Sequence, residues 1–313
     1  MTLARAADGT ANLHIWREGE EYLLQKGPIF LKQWNNLVYA TLPGPPLANT
    51  RYVDLSTAPL GFAEETFDAV YAYHVFEHLT PSQGERCAQQ IFSVLKAGGI
   101  CRVSVPDLET LCRNYLDTLH TACDHSTRQN LVRYRWAVMV IFEQMVRERS
   151  GGLMLEAIEQ REFDDAQLRD IFGDALRPLV ERTRSASSGD AADGRQPRQV
   201  QQQRPPNART LLRRIYWGTR AVLGKSRPRV TNRWMDLDPR VTKEAVRWMY
   251  DRLSLRLLLE KAGFEEVRQM DHVSSSIPGW SAYDFDRSNN GDYPLDPSVY
   301  IEGRKAERPR RAW

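Results

Sequence analysis

At 313 residues the chain has the length of two average domains, or of one α/β domain with generous insertions, and it can bury a full core without disulfide or metal staples. Its 42% hydrophobic and 27% charged composition, with a mean hydropathy of −0.54, is that of a soluble globular protein, and its apolar runs fall far short of the roughly 18–20 residues of a bilayer span. The net charge of only +3 argues against a protein that coats nucleic acid, yet the charge is unevenly placed: Arg195 to Arg233 contains eleven Lys/Arg and no Asp or Glu, so the rest is net acidic. The opening residues lack the apolar stretch of a signal peptide. Cys87, Cys101, Cys112 and Cys123 form no CxxC pair, which speaks against a zinc site or a secreted disulfide framework and makes a reducing cytoplasm the expected compartment.

In chain order, Tyr22-Leu23-Leu24 and Leu37-Val38-Tyr39-Ala40 read as short strands, the second stopped at Pro43-Gly44-Pro45-Pro46. Phe67 to Ala72 reads as a third apolar run, and Thr80-Pro81-Ser82 as a helix start with proline just inside. From Glu85 to Leu95, the spacing of Ala88, Ile91, Phe92 and Leu95 predicts an amphipathic helix stopped by Ala97-Gly98-Gly99. Ile100 to Val105 follows as a strand ending at Pro106, so strand and helix alternate as in a parallel sheet with helices on its faces. Residues 107–180 read as helical with a break at Ser150-Gly151-Gly152. The Ser, Gly, Gln, Pro and Arg of about 185–209 predict a mobile linker. A basic amphipathic segment covers Leu211 to Leu223. Lys243 to Ala262 reads as a helix closed by Gly263, and Phe264–Met270 and Val299–Gly303 as two final strands. The expected organisation is an N-terminal extension (1–19), a first core part (20–144), a helical insertion (145–245), a last core part (246–305) and a basic tail (306–313).

The ordered set Asp54-Leu55, Phe67-Asp68-Ala69-Val70-Tyr71, His74-Val75-Phe76-Glu77-His78-Leu79, Val94-Leu95-Lys96-Ala97-Gly98-Gly99 and Val105-Pro106-Asp107-Leu108 resembles a class I S-adenosylmethionine-dependent methyltransferase of the type 11 group. Gln144 to Gly152 resembles that group's insertion, and Trp248 to Leu255 with Ala262-Gly263-Phe264 its closing helix and strand. The resemblance implies an α/β fold, a Rossmann-like seven-stranded sheet of order 3-2-1-4-5-7-6 with strand 7 antiparallel, carrying a helical, partly disordered insertion. It implies S-adenosylmethionine as cofactor and a small-molecule acceptor.

Lining up Trp34-Asn35-Asn36-Leu37-Val38 with the family's W-x-N-(I/V)-D sets Leu24-Gln25-Lys26-Gly27 on the cofactor's glycine loop, where Gly27 alone is kept. The acid that takes the ribose hydroxyls falls on Val38, which accepts no hydrogen bond, and such a loss costs about 1–3 kcal/mol. The resemblance further implies cofactor contacts from Gln25, Gly27, Asp54, Leu55, Tyr73 and His74, with Asp54 toward the adenine amine. His74, at the carboxyl end of a central strand, is the candidate general base, and Glu77 its orienting carboxylate. A capping role competes for His74 and His78, a turn role for Asp54, a helix N-cap for Asp107 and a core position for Tyr73.

Asp107, Arg147 and Arg149 are candidate substrate residues, the two arginines suiting an anionic or sugar-linked acceptor; the competing role for the arginines is a solvated helix end. The basic run 210–233 suits a lid helix or contact with an anionic membrane at its inner face; a grip on nucleic acid lacks any base-reading motif. The expected function is methyl transfer to an oxygen of a sugar or other small metabolite. Two alternatives keep the same fold: a binding or scaffold protein without catalysis, and an enzyme whose altered pocket serves another ligand.

Overall fold

The computed structural model describes residues 3–5, 9–17, 34–40, 49–160, 162, 239–240, 242–283, 285–286 and 297–307. Seven strands form one sheet: β1 (Asn12–Arg17), β2 (Asn35–Tyr39), β3 (Thr50–Val53), β4 (Phe67–Tyr73), β5 (Leu95–Pro106), β6 (Glu265–Met270) and β7 (Ser298–Arg304). Their order is β3-β2-β1-β4-β5-β7-β6, with β7 antiparallel to both neighbours and the remaining pairs parallel. This is the Rossmann-like sheet that the resemblance implies.

The two faces of the sheet differ in chemistry. Leu13, Ile15, Leu37, Val70, Ala72, Val103, Val105, Val299 and Ile301 point to one side and build the main core. Two helices cover them, α1 (Pro81–Val94) through Ala88 and Ile91 and, further along the chain, Arg252–Ala262 through Leu255, Leu258 and Leu259. The helix starts at Pro81, as the sequence predicts, and a capping box between Thr80 and Gln83 closes its first turn. The other face is polar and aromatic. One cross-sheet row reads Asn36, His14, Tyr71, Arg102, Glu302 and Arg268.

Arg102 organises that second face. It is fully buried on β5, and all five of its N–H donors are used: Nε and Nη2 on Asp286, Nη1 on Glu302 and the Ser274 carbonyl, and Nη2 also on the Asp271 carbonyl, at 2.8–3.2 Å. Its guanidinium lies over the rings of Trp280 and Tyr300, 4.5 and 4.9 Å from their centroids. Tyr71 donates to the other oxygen of Asp286, and the Ser275 hydroxyl and Ser276 amide donate to Glu302. One side chain thus fastens the stretch between β6 and β7 onto the sheet, where Ile277, Trp280 and Phe285 cover Tyr71 and Tyr73.

Four sequence expectations are corrected. The first strand is Asn12–Arg17 rather than Tyr22-Leu23-Leu24, so the core begins inside the expected 1–19 extension; residues 22–24 lie outside the described residues. Leu13 and Ile15 alternate with His14 and Trp16, the period that lets a strand face an apolar core on one side only. Second, α1 ends at Val94, and Ala97-Gly98-Gly99 lies within β5, where the pairing with β4 shifts register. Third, the helical subdomain starts directly after β5 rather than at residue 145. Here α2 (Leu108–Asp124), α3 (Arg128–Val138), a π-helical turn (Met139–Glu143), α4 (Gln144–Val146) and α5 (Gly152–Glu159) gather Leu111, Trp136, Met139, Val140, Ile141, Ala157 and Ile158 into a core of their own. The break at Gly151-Gly152 is real; both have positive φ, and a Cβ on Gly152 would collide with the Glu143 carboxylate, which caps α5 through the Leu153 amide. Fourth, the helix closed by Gly263 begins at Arg252, not Lys243. This is α6, capped by a box between Asp251 and Ser254.

The linker of about 185–209, the run 210–233 and the tail 308–313 lie outside the described residues. No helix among the described residues is long and apolar enough to cross a membrane. The four cysteines are free, Cys87 and Cys101 buried and Cys112 and Cys123 exposed.

Replacing Arg102 by Met leaves Asp286 and Glu302 buried without their cation. The expected loss is about 3–5 kcal/mol in urea unfolding, and a loss under about 1 kcal/mol would contradict the role given to Arg102.

Candidate functional site

Open α/β sheets bind ligands beyond the carboxyl ends of their strands. At that edge β1 ends in Arg17, β2 in Tyr39, β3 runs into Asp54, and β4 runs into His74. His74 has φ of 46°, a left-handed conformation uncommon outside glycine and asparagine, and its amide is still held by the Ser104 carbonyl of β5 at 2.9 Å. The turn that follows (Phe76–His78) folds the carboxylate of Glu77 back toward the imidazole, with Glu77 Oε1 3.4 Å from His74 Nδ1. On the other side His74 Nε2 lies 3.0 Å from Ser298 Oγ, at the first residue of β7. The result is a chain of Ser298, His74 and Glu77 across the edge, with the Tyr73 ring 4.4 Å from the imidazole.

Burial, and secondarily the Arg17 charge, push the His74 pKa down to about 3. The imidazole is therefore neutral at working pH. His78 is lowered by the same two causes, and its Nδ1 lies 3.4 Å from the Ala245 carbonyl. His14, buried on β1 against the Tyr71 ring, is pushed to about 3 by burial.

Asp54 sits at the end of β3 with its side chain about a quarter exposed. Its Oδ1 accepts from the Ser56 amide and hydroxyl, and its Oδ2 lies 3.5 Å from Lys243 Nζ. Lys243 belongs to the stretch before α6, which crosses the edge as a strap. The amides of Arg247 and Trp248 donate to the Glu77 carbonyl at 2.7 and 3.1 Å, and the Leu108 amide donates to the Tyr250 carbonyl at 2.9 Å.

The fold brings Asp54, Tyr73, His74 and Glu77 to one edge, and sets other candidates to different tasks. Leu55 packs into the main core. Asp107 caps α2: Oδ1 accepts from the Glu109 amide and Oδ2 from the Thr110 hydroxyl. Arg147 is committed to two carboxylates, Glu143 at 3.1 Å and Glu244 at 2.7 Å, with little exposure. Arg149 is half exposed and paired with Glu156. Gln25 and Gly27 lie outside the described residues. The first strand ends at Arg17 and β2 begins at Asn35, so positions 24–27 fall in the stretch between them, outside the described residues. Val38 is fully buried against Trp16, Ala40 and Tyr52, so an acid at that position would be a buried charge rather than a ribose ligand. Sequence reasoning missed Arg17, Lys243 and Ser298; each reaches the edge through topology, and only the strand alternation around Leu13 and Ile15 could have signalled Arg17.

Residues 34–103, from the start of β2 into β5, match the family described as "Methyltransferase domain". The sheet order and the match agree. The matched segment covers less than a quarter of the chain, and the sheet that contains it has the strand order of a class I S-adenosylmethionine-dependent methyltransferase. No curated protein sequence matches the chain. Among solved structures it is similar to a SAM-dependent methyltransferase from Archaeoglobus fulgidus, at 9% identity over 95% of this chain and 87% of that one, TM-score 0.37. It is also similar to a SAM-dependent methyltransferase from Methanosarcina mazei, at 10% identity over 96% and 94%, TM-score 0.33. A third similar structure is PigF with SAH, at 9% identity over 96% of this chain and 52% of that one, TM-score 0.34.

The three buried histidines of the chain make a pH prediction. Their folded pKa values lie below the unfolded value of about 6.5, so neither state binds the protons above that pH and stability is full there. Below about 6.5 the unfolded chain takes up protons that the folded one refuses, and each histidine costs about 1.4 kcal/mol per pH unit down to its folded pKa. Urea midpoints measured from about pH 8 to about pH 5 should be flat and then fall steeply; a flat profile across the range would contradict buried neutral imidazoles.

Proposed function

We propose that the protein transfers a methyl group from S-adenosylmethionine to an oxygen of a small acceptor, a sugar or other hydroxylated metabolite. The observation that carries the reading is the imidazole of His74 at the carboxyl end of β4, held between the Ser298 hydroxyl and the Glu77 carboxylate. At its adenine end the cofactor fits the residues present: Asp54, at the end of β3, offers a partly exposed carboxylate oxygen to an amino group. At its ribose end it does not find an acid on β2, whose residue 38 is a buried valine. Asp54 and Tyr73 would hold the cofactor, and Leu55 would shape that end from the core. Bound there, S-adenosylmethionine supplies an electrophilic methyl group on a sulfonium centre.

The chain's own residues then have three tasks. The edge of β4 and β5 must hold the acceptor in line, since proximity supplies most of the acceleration in such a transfer. His74 Nε2 takes the proton as the acceptor oxygen forms its new bond, directly or through the Ser298 hydroxyl. Glu77 keeps the imidazole oriented by facing Nδ1. Of the two arginines considered for an anionic acceptor, Arg149 retains an exposed guanidinium. A second reading, a binding protein without methyl transfer, draws on Arg17 at the end of β1 and on the buried Val38.

Calorimetric titration with S-adenosylmethionine and S-adenosylhomocysteine separates the two. His74→Ala should lower labelled methyl transfer to a panel of hydroxylated sugars and metabolites by about 10²–10⁴-fold, with cofactor affinity nearly unchanged. Lost binding with unaltered turnover would contradict the role of His74, and absence of cofactor heat at millimolar ligand would remove the methyl-transfer reading. The basic run 210–233 leads us to infer contact with an anionic membrane surface. Flotation with anionic but not neutral liposomes is the expected result, and failure to float at low salt would remove it.

A further inference from the structure

The strap before α6 is fixed at both ends by contacts that do not involve the cofactor edge. At its start the Glu244 carboxylate accepts from Arg147 Nη1 and from the Gly151 amide, each at 2.7 Å, and the Val246 amide donates to the Gln144 carbonyl at 3.0 Å. At its end Tyr250 is buried in the main core, in a space that exists because residue 84 of α1 is glycine: a Cβ there would lie 2.7 Å from the Tyr250 hydroxyl. Between them run the backbone bonds to Glu77. One side chain of the strap reaches β3. Lys243 projects from a left-handed backbone (φ 62°) to Asp54, its Nζ 3.5 Å from Oδ2 and 3.1 Å from the Ser56 hydroxyl.

The carboxylate of Asp54 is therefore shared out. Oδ1 is engaged by its own turn through the Ser56 amide and hydroxyl, and the oxygen left for a ligand is the one that faces Lys243. Its partner is a single ammonium on a four-carbon stem, 3.5 Å away and outside ordinary hydrogen-bond distance. The strap's backbone can stay in place while that stem swings away.

We propose that Lys243 is the residue that sets affinity at the β3 end of the pocket, because its ammonium competes with the amino edge of a nucleoside base for Asp54 Oδ2. This rests on the reading of the edge as an adenosyl-cofactor site. A ligand that seats there exchanges one donor for another on the same oxygen, so occupancy is opposed by the strength of the Lys243–Asp54 pair. Two consequences follow. Removing the charge tightens binding of an adenosyl ligand, and added salt, which screens the pair, partly reproduces that effect in the wild type.

The experiment is titration calorimetry of the full chain with S-adenosylhomocysteine, and separately with adenosine, for the wild type, Lys243→Met and Lys243→Arg. Met keeps the apolar stem and removes the charge, whereas Arg keeps the charge; unchanged melting temperatures confirm that both variants fold. The expected result is affinity about fivefold tighter for Lys243→Met, near wild type for Lys243→Arg, and a smaller salt response in the Met variant. Binding that appears only in Lys243→Met supports the competition in its strongest form. Wild-type binding that Lys243→Met leaves unchanged or weakens overturns the competition while leaving the cofactor site intact. Absence of binding in all three proteins overturns the cofactor reading and this inference with it.

Discussion

A buried arginine with every donor satisfied constrains its surroundings more tightly than any apolar contact does. Arg102 lies on a central strand, and its charge can stay out of water only if Asp286, Glu302 and the carbonyls of Asp271 and Ser274 remain where they are. Those partners come from β7 and from the stretch between β6 and β7. The same guanidinium therefore fixes the sheet's antiparallel edge and the cover over its polar face. Apolar burial on the opposite face supplies bulk stabilisation, but it tolerates substitution of similar volume; the Arg102 set does not. Because Ser298 is the first residue of β7, the register that Arg102 and Glu302 hold also decides where that hydroxyl meets His74.

The carboxyl edge is built by convergence of separate parts of the chain. His74 comes from the end of β4, Ser298 from a strand 224 residues later, and Lys243 from the strap that returns the chain from the helical subdomain. Each part is anchored away from the edge, β7 through Arg102 and the strap through Glu244 and Tyr250. A site assembled in this way is rigid in its backbone and adjustable in a few side chains, among them Lys243.

How much of this could be read beforehand depended on the range of the interactions. The stretch from Phe67 to Asp107 was legible because its signals are local: the apolar run of β4, the helix start at Thr80-Pro81-Ser82, the N-cap of Asp107, and the family pattern that runs through them. β1 was missed because one of its faces carries His14 and Trp16, which look polar or merely aromatic in sequence, while the family's glycine loop drew the alignment toward Gly27. The strap was read as helix because Trp248, Leu253, Leu257 and Leu258 share helical spacing. Trp248, however, is nearly half exposed, and the backbone before Asp251 is spent on Glu77 and Leu108. The pairings of Ser298 with His74 and of Lys243 with Asp54 had no local signal at all. Arg102 did have one, an arginine between Cys101 and Val103 in the strand Ile100–Val105, which requires buried acids elsewhere in the chain.

The central claim is that the edge framed by Arg17, Asp54 and His74, under the strap, is the site where an adenosyl cofactor sits. A crystal structure of the full chain grown with S-adenosylhomocysteine tests it most directly. The account predicts density with the base amino group on Asp54 in place of the Lys243 ammonium, the sulfur end toward His74, and the strap backbone unmoved. Ligand bound elsewhere, or bound with the Lys243–Asp54 pair intact, would contradict it.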